Sequence, residues 1–298
     1  MSLIYIVKAH VLNIDSLLEF TVMSSTEYSK DIFISNNSDT CVFFFHGLSA
    51  TPYELKNWAK KIAELKVDVK VPLLPKHGVN SEVLCSVDSA DLFYDWGYNY
   101  INDLKKNYKK VIGLGISLGG GTIFNYLANA KENLDGTIML GTGGFVAWEL
   151  GLLTFLVRLF NIKAMRNPLV NKYDRIILGD EYFEWKMENF PKVPVKMLMK
   201  ALHKQKKEGL EQKLNNIKCP IMIINGTAGL LTEPTSILQY FEHISASRKH
   251  GLLVEGATHT VHKSQFNQQI LDQIIEFLKE IIVGDVKNEI TYTILKEE

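Results

Sequence analysis

An excess of charge of either sign is missing: 33 Lys and Arg stand against 33 Asp and Glu, so the formal net charge at pH 7 is zero. The pI is near 7.1. Nucleic-acid binding draws on a basic surface, so no nucleic-acid partner is expected. Cysteine is scarce. Cys41, Cys85 and Cys219 are odd in number and lack metal-ligand spacing, which argues against a disulfide framework and a cysteine-held metal. Cys41 and Cys219 open apolar, strand-like runs, where a small buried thiol is the usual occupant. No apolar run is as long as a membrane-spanning helix, so stable membrane insertion is not expected. The opening M-S-L-I-Y-I-V-K-A-H has no basic segment ahead of a long apolar core; no signal peptide is expected, and the expected location is cytoplasmic. His10, His77, His203, His243 and His250 show no ligand pattern, so neither metal nor cofactor is called for. Internal repeats and low-complexity segments are absent as well.

What is present is an alternation of strand-like and helix-like segments. Runs at 3–12 and 17–22 suit hairpin strands at a sheet edge. Cys41–Phe45 is wholly apolar, as a parallel strand buried on both faces would be. Val67–Val71, then Val111–Ile116, Gly136–Leu140, the run from Cys219 to Asn225, and Gly251–Val254 continue the strand series. Between them lie helix patterns, among them 88–107, with Leu92, Trp96, Tyr100, Ile101 and Leu104 expected inward, and 264–282. This order predicts an α/β fold with a doubly wound, mostly parallel sheet, whose ligands sit beyond the carboxyl ends of the strands. The rhythm lapses at 145–215, where no strand is evident and an inserted helical cap is expected. The core is then 1–144 with 216–283, and 284–298 is a C-terminal extension that either adds an edge strand through Ile290–Leu295 or stays mobile.

One stretch carries chemistry. V-I-G-L-G-I-S-L-G-G-G at 111–121 contains G-x-S-x-G between a buried strand and a helix. Such a turn exposes the serine hydroxyl at the sheet's carboxyl edge, over a helix N-terminus that favours developing negative charge. Ser117 is therefore the candidate nucleophile; an ordinary turn serine or helix N-cap is the plainer alternative.

The same chain carries H-G-L-S-A-T-P-Y-E at 46–54, V-P-L-L-P-K-H-G at 71–78, Asp95-Trp96, G-L-G-I-S-L-G-G at 113–120 and G-A-T-H at 256–259. In order and interval these motifs make the chain resemble the α/β-hydrolase superfamily over about 40–282. Within it, small bacterial carboxylesterases and monoacylglycerol lipases are the most similar. Lys76 departs from the glycine usual in the second motif. The resemblance implies Ser117 as nucleophile, His259 as general base, and the backbone N–H groups of Leu48 and Leu118 as the oxyanion hole. It implies a loop-supporting role for His46 and leaves His262 as an ordinary surface histidine.

The third member of the triad breaks the pattern. The family's acid is an aspartate in a G-x-x-D segment, and this chain has Gly226-Thr227-Ala228-Gly229, with Glu233-Pro234 following. Glu233 is the working candidate for the acid, Glu149 a more distant one, and a Ser–His dyad a third possibility. The cap residues Phe145 to Phe160 are strongly apolar. They read either as buried core or as a lid over an acyl-chain site, with Phe145 and Trp148 as substrate contacts. The expected function is hydrolysis of carboxylic esters, medium or long acyl or monoacylglycerol-like, through an acyl-serine. The partner is then a small ester or lipid-like molecule, and the oligomeric state is open. Acyl transfer would use the same residues. The competing reading, motivated by Gly229, is a catalytically weak or silent ligand-binding protein of the same fold.

Overall fold

The computed structural model describes residues 27–142, 162–167, 172–200, 213–229 and 236–297. Strand and helix alternate as β1 Ile32–Ile34, β2 Thr40–Phe45, α1 Lys56–Ala63, β3 Asp68–Val71, α2 Ser81–Cys85, α3 Asp91–Asn107, β4 Lys110–Ile116, α4 Leu118–Asn129 and β5 Gly136–Leu140. Next come β6 Met165–Arg166, α5 Lys172–Leu178, α6 Asp180–Asn189 and β7 Lys192–Val193. The chain continues through β8 Ile221–Gly226, α7 Ser236–His243, β9 Lys249–Val254, α8 Asn267–Val283 and β10 Ile290–Leu295. Eight strands form one sheet in the order β1-β3-β2-β4-β5-β8-β9-β10. Only β1 runs antiparallel to its neighbour in it.

The composition of β2 explains the layering. All six of its residues are buried. Side chains alternate across a strand, so Cys41, Phe43 and Phe45 enter one core while Val42 and Phe44 enter the other. The first core is closed by α3, α4 and α7, through residues such as Phe93, Ile101, Ile123 and Tyr240. The second is closed by α1 and α8, through Trp58, Ile62, Ile270 and Phe277. The chain leaves β2 outward to β3, then returns past β2 to β4. The winding therefore reverses between β2 and β4, where such sheets open a crevice. Phe45 pairs with Gly115, so the two strands end within one residue of each other and deliver His46 and Ser117 to that crevice together.

Several expectations need correction. The region expected to hold only helices contains a short antiparallel ribbon, β6 with β7; two-residue strands leave no periodic signal. Leu92 faces solvent, at 39% exposure, while Phe93 takes the inward position. The last helix begins at Asn267, after a one-turn 3-10 segment Val261–Lys263. The expected hairpin runs at 3–12 and 17–22 lie outside the described residues, and β1 is a single edge strand. Cys41 and Cys219 are buried free thiols, as expected. Among the described residues no helix is long and apolar enough to cross a membrane.

The C-terminal extension forms β10, paired in parallel with all of β9. Thr291 fastens it, its Oγ1 accepting from Arg248 at 2.9 Å and meeting His250 Nδ1 at 2.6 Å. Truncation after Asp285 is expected to expose the edge of β9 that faces away from β8. It should lower Tm by roughly 2–4 °C for each kcal/mol of stability lost and speed amide exchange across Lys249–Val254. Unchanged exchange there would contradict the pairing.

Candidate active site

Ser117 joins β4 to α4 at φ 51° and ψ −110°. A non-glycine residue there is strained by about 1–3 kcal/mol and needs its surroundings to hold it. Its N–H donates to Leu140 O at 2.9 Å, and its carbonyl accepts from Gly121 N–H at 2.9 Å. The flanking glycines are a steric requirement. A Cβ on Gly115 would come within 2.5 Å of the Gly120 backbone, and one on Gly119 would run into the Phe45 carbonyl. Leu118 opens α4, where first-turn amides have no intrahelical acceptor.

The loop after β2 closes over this elbow. Gly47 packs against Ser117, a Cβ there falling 3.7 Å from Ser117 Cβ. A turn is closed by Ala50 N–H donating to Gly47 O at 3.1 Å, with Leu48 inside it. Ser49 also has positive φ, at 58°, and its Oγ accepts from Asn167 Nδ2 at 3.0 Å. His46 is buried and Leu74 N–H donates to its Nε2 at 3.0 Å. The proton must therefore sit on Nδ1, which donates to Gly47 O at 3.0 Å. With both nitrogens committed to backbone and its pKa pushed down to about 4 by burial, His46 shapes the loop as a neutral ring.

His259 arrives from the loop after β9. That loop is laced to the end of β8: Thr227 N–H donates to Val254 O, Ala228 N–H to Ala257 O, and Gly256 N–H to Thr227 Oγ1. His259 Nε2 lies 2.7 Å from Ser117 Oγ, across 142 positions of sequence. The ring backs onto Gly141, which has φ 56° and room for no side chain. Its Nδ1 is buried and, among the described residues, has no hydrogen-bond partner. Burial pushes the His259 pKa down to about 4. Gly229 ends the segment laced to this loop and brings no carboxylate. Glu233, Glu149, Phe145 and Trp148 lie outside the described residues.

His262 corrects an expectation. It is a buried ring rather than a surface one, edge-on to Trp58 at 6.1 Å, and burial holds its pKa down at about 3. The 3-10 turn Val261–Lys263 is buried throughout, which turns the ring into the protein.

Sequence reasoning missed what lies beside this pair. Glu54, Asp174, Lys186 and Lys263 form a cluster of two carboxylates and two ammonium groups, each side chain at most 3% exposed. Lys186 Nζ reaches Glu54 Oε1 at 2.5 Å, and Lys263 Nζ reaches Glu54 Oε2 and Asp174 Oδ1 at 2.6 Å each. Tyr182 OH donates to Glu54 Oε1 at 2.9 Å and contacts Thr51 Oγ1 at 3.1 Å. Burial would raise the Glu54 pKa, but the two ammonium groups outweigh it and hold the carboxyl below its usual range. Burial likewise opposes charge on Lys263, and Glu54 and Asp174 override it upward. A cavity of about 20 Å³ is lined by Leu48, Glu54, Ser117, Lys186, His259 and Lys263, among others. That is room for one water-sized group. Among the described residues no group of three His, Cys, Asp or Glu side chains is placed to hold a metal ion.

Comparison with known proteins agrees with this architecture. A solved structure from work on LipS and LipT, two metagenome-derived lipolytic enzymes, is 17% identical, over 85% of this chain and 98% of that one, with a TM-score of 0.65. The monoacylglycerol lipase of Paleococcus ferrophilus is 16% identical over 85% and 98%, with a TM-score of 0.64. A soluble variant of the Saccharomyces cerevisiae monoglyceride lipase, solved with a substrate analog, is 14% identical over 86% and 92%, at 0.63. At such identities these likenesses speak to the fold. The family model described as serine aminopeptidase, S33 (Hydrolase_4) matches residues 36–265. With most of its length covered by that match and its sheet wound as the fold requires, the chain belongs to the S33 serine aminopeptidase-like family of α/β hydrolases.

Proposed function

We propose that the protein is a serine esterase that cleaves carboxylic esters through an acyl-Ser117 intermediate. The observation that carries this reading is the 2.7 Å approach of His259 Nε2 to a serine hydroxyl on a strained strand-to-helix turn. Ser117 Oγ attacks the ester carbonyl as His259 takes its proton at Nε2. The carbonyl oxygen becomes an oxyanion facing the N–H groups of Leu48 and Leu118; one such donor is typically worth about 3 kcal/mol. Collapse breaks the bond to the alcohol, which leaves with the proton from His259. Water then enters, gives a proton to His259 and attacks the acyl carbon; the bond to Ser117 Oγ breaks, Oγ takes the proton from His259, and the acid leaves.

Medium or long acyl esters, monoacylglycerol-like, are the substrates we favour. The apolar composition of 145–160 suits an acyl chain, each methylene of which gains about 0.8 kcal/mol on burial. Two neighbours of like fold are named as monoacylglycerol and monoglyceride lipases. Unpaired cysteines agree with a cytoplasmic setting. In this reading 145–215 is the substrate-covering insert, with Phe145 and Trp148 toward the acyl chain. Gly229 and the unpartnered Nδ1 support a second reading, a ligand-binding protein with little turnover.

Hydrolysis of a p-nitrophenyl acyl ester tests the proposal. Wild type is expected to turn over, and Ser117→Ala and His259→Ala to lose the activity; a folded wild type without turnover favours the binder.

The base must be neutral to accept a proton, and burial sets its pKa at about 4. The acid limb of kcat/KM is thus expected near pH 4, with a plateau above about pH 5, rather than at the ordinary histidine value near 6.5. A limb near 6.5 would contradict a buried His259 whose Nδ1 has no partner among the described residues.

For the acid, Gly229→Asp is expected to raise kcat, with about 10⁴-fold as the ceiling set by a complete triad. It should also move the acid limb to higher pH, because a carboxylate stabilises the imidazolium. Glu233→Gln decides the working candidate: a fall in kcat of orders of magnitude assigns the acid to Glu233, and unchanged kinetics rejects that role.

A further inference from the structure

The buried charges lie where three parts of the molecule meet. Glu54 belongs to the 3-10 turn that follows the His46–Ala50 loop. Asp174 and Lys186 come from α5 and α6. Lys263 is four residues beyond His259 on the same loop. Polar contacts run alongside: Asn167 to Ser49, Tyr182 to Thr51, and Tyr173 OH donating to Gln265 at 2.9 Å. Aromatic packing seats α6 on the core. Tyr182 stacks on Tyr53 at 4.8 Å, and Tyr28 meets both rings and Trp185.

Such a cluster is a poor source of stability by itself, since desolvating four ions costs about what their attraction returns. Its strength is geometric. Moving any member leaves a charge in the interior without its counter-charge, which is strongly unfavourable, so the members share one arrangement. We propose that Glu54, Asp174, Lys186 and Lys263 are positioning residues, a buried electroneutral lock through which α5 and α6 fix both the Leu48 loop and the His259 loop around Ser117. This rests on the esterase reading for its consequence in turnover, though not for its geometry.

Neutrality is part of the proposal. Among the described residues, the groups facing His259 across the small cavity are Ser117 from the elbow, His46 from the end of β2, Glu54 from the 3-10 turn, Lys186 from α6, and His262 and Lys263 from its own loop. Both histidines toward β2 and α1 are held neutral, and the two ammonium groups are matched by Glu54 and Asp174. The lock therefore presents no net charge to His259, whose lowered pKa has burial as its cause. Removing one ammonium should leave a net negative charge beside the ring. Removing one ammonium and one carboxylate together should not.

The test is NMR titration of the His259 ring in the full chain, with ester hydrolysis measured in parallel across pH. In Lys263→Met the His259 midpoint is expected to rise, and the acid limb of hydrolysis to rise with it. In Lys263→Met/Glu54→Gln the midpoint should return to the wild-type value. Its kcat should stay about 10²-fold low with KM little changed, as expected when reacting groups are misplaced by about an ångström. A wild-type midpoint in folded Lys263→Met, or wild-type kcat in the double variant, would overturn the lock. Should neither fold, Lys263→Arg keeps the charge and displaces the nitrogens: reduced kcat at an unmoved midpoint supports the proposal, and wild-type kcat overturns it. A wild type that hydrolyses nothing refutes the esterase reading, while the ring titration still decides the lock.

Discussion

Ser117 holds its hydroxyl out of the sheet edge only because its backbone is kept at φ 51°, a conformation the residue would not adopt alone. The surrounding structure can be traced to that requirement. Strand ends one residue apart at β2 and β4 bring the Leu48 loop over the turn. Glycines on either side let the Phe45 carbonyl and the start of α4 close in. The crevice where the sheet reverses its winding supplies the space, so one strained residue and one topological feature together define where a substrate can meet the protein.

Burial then decides how that residue can be used. His46, His77, His259 and His262 are all held neutral by desolvation, with pKa values between about 3 and 4. For His46 neutrality is an asset, since both ring nitrogens are tied to backbone. In the proposed reaction it would cost His259 reactivity, because a base must become an imidazolium and nothing among the described residues stabilises its Nδ1 proton. Among the described residues, the carboxylate that lines its cavity, Glu54, is already committed to Lys186 and Lys263. Charge is paired off beside Ser117 and His259, and Gly229 brings no carboxylate to the segment laced to the His259 loop.

Much of the fold could be read from patterns that depend on one element alone. An unbroken apolar Cys41–Phe45, the G-x-S-x-G turn and the small residues before His259 each signal their local structure through sterics or period. What depended on tertiary arrangement stayed hidden. Glu54, Asp174, Lys186 and Lys263 come from four segments, and charged residues in amphipathic patterns look solvated until the elements are packed. His262 lies in a turn too short to show a buried face. Leu92 and Phe93 are adjacent apolar residues at a helix start, where period alone does not say which turns inward. The ribbon of β6 and β7 is two residues wide and leaves no alternation to detect, whereas Ile290–Leu295 alternates clearly enough to have suggested its edge strand.

The most direct measurement of whether Ser117 is an activated nucleophile is covalent capture by a fluorophosphonate, with the adduct located by peptide mass mapping. The account expects one adduct per chain on Ser117, absent in Ser117→Ala and formed far more slowly in His259→Ala. A folded wild-type protein that takes up no label, or carries it on a different residue, would contradict it.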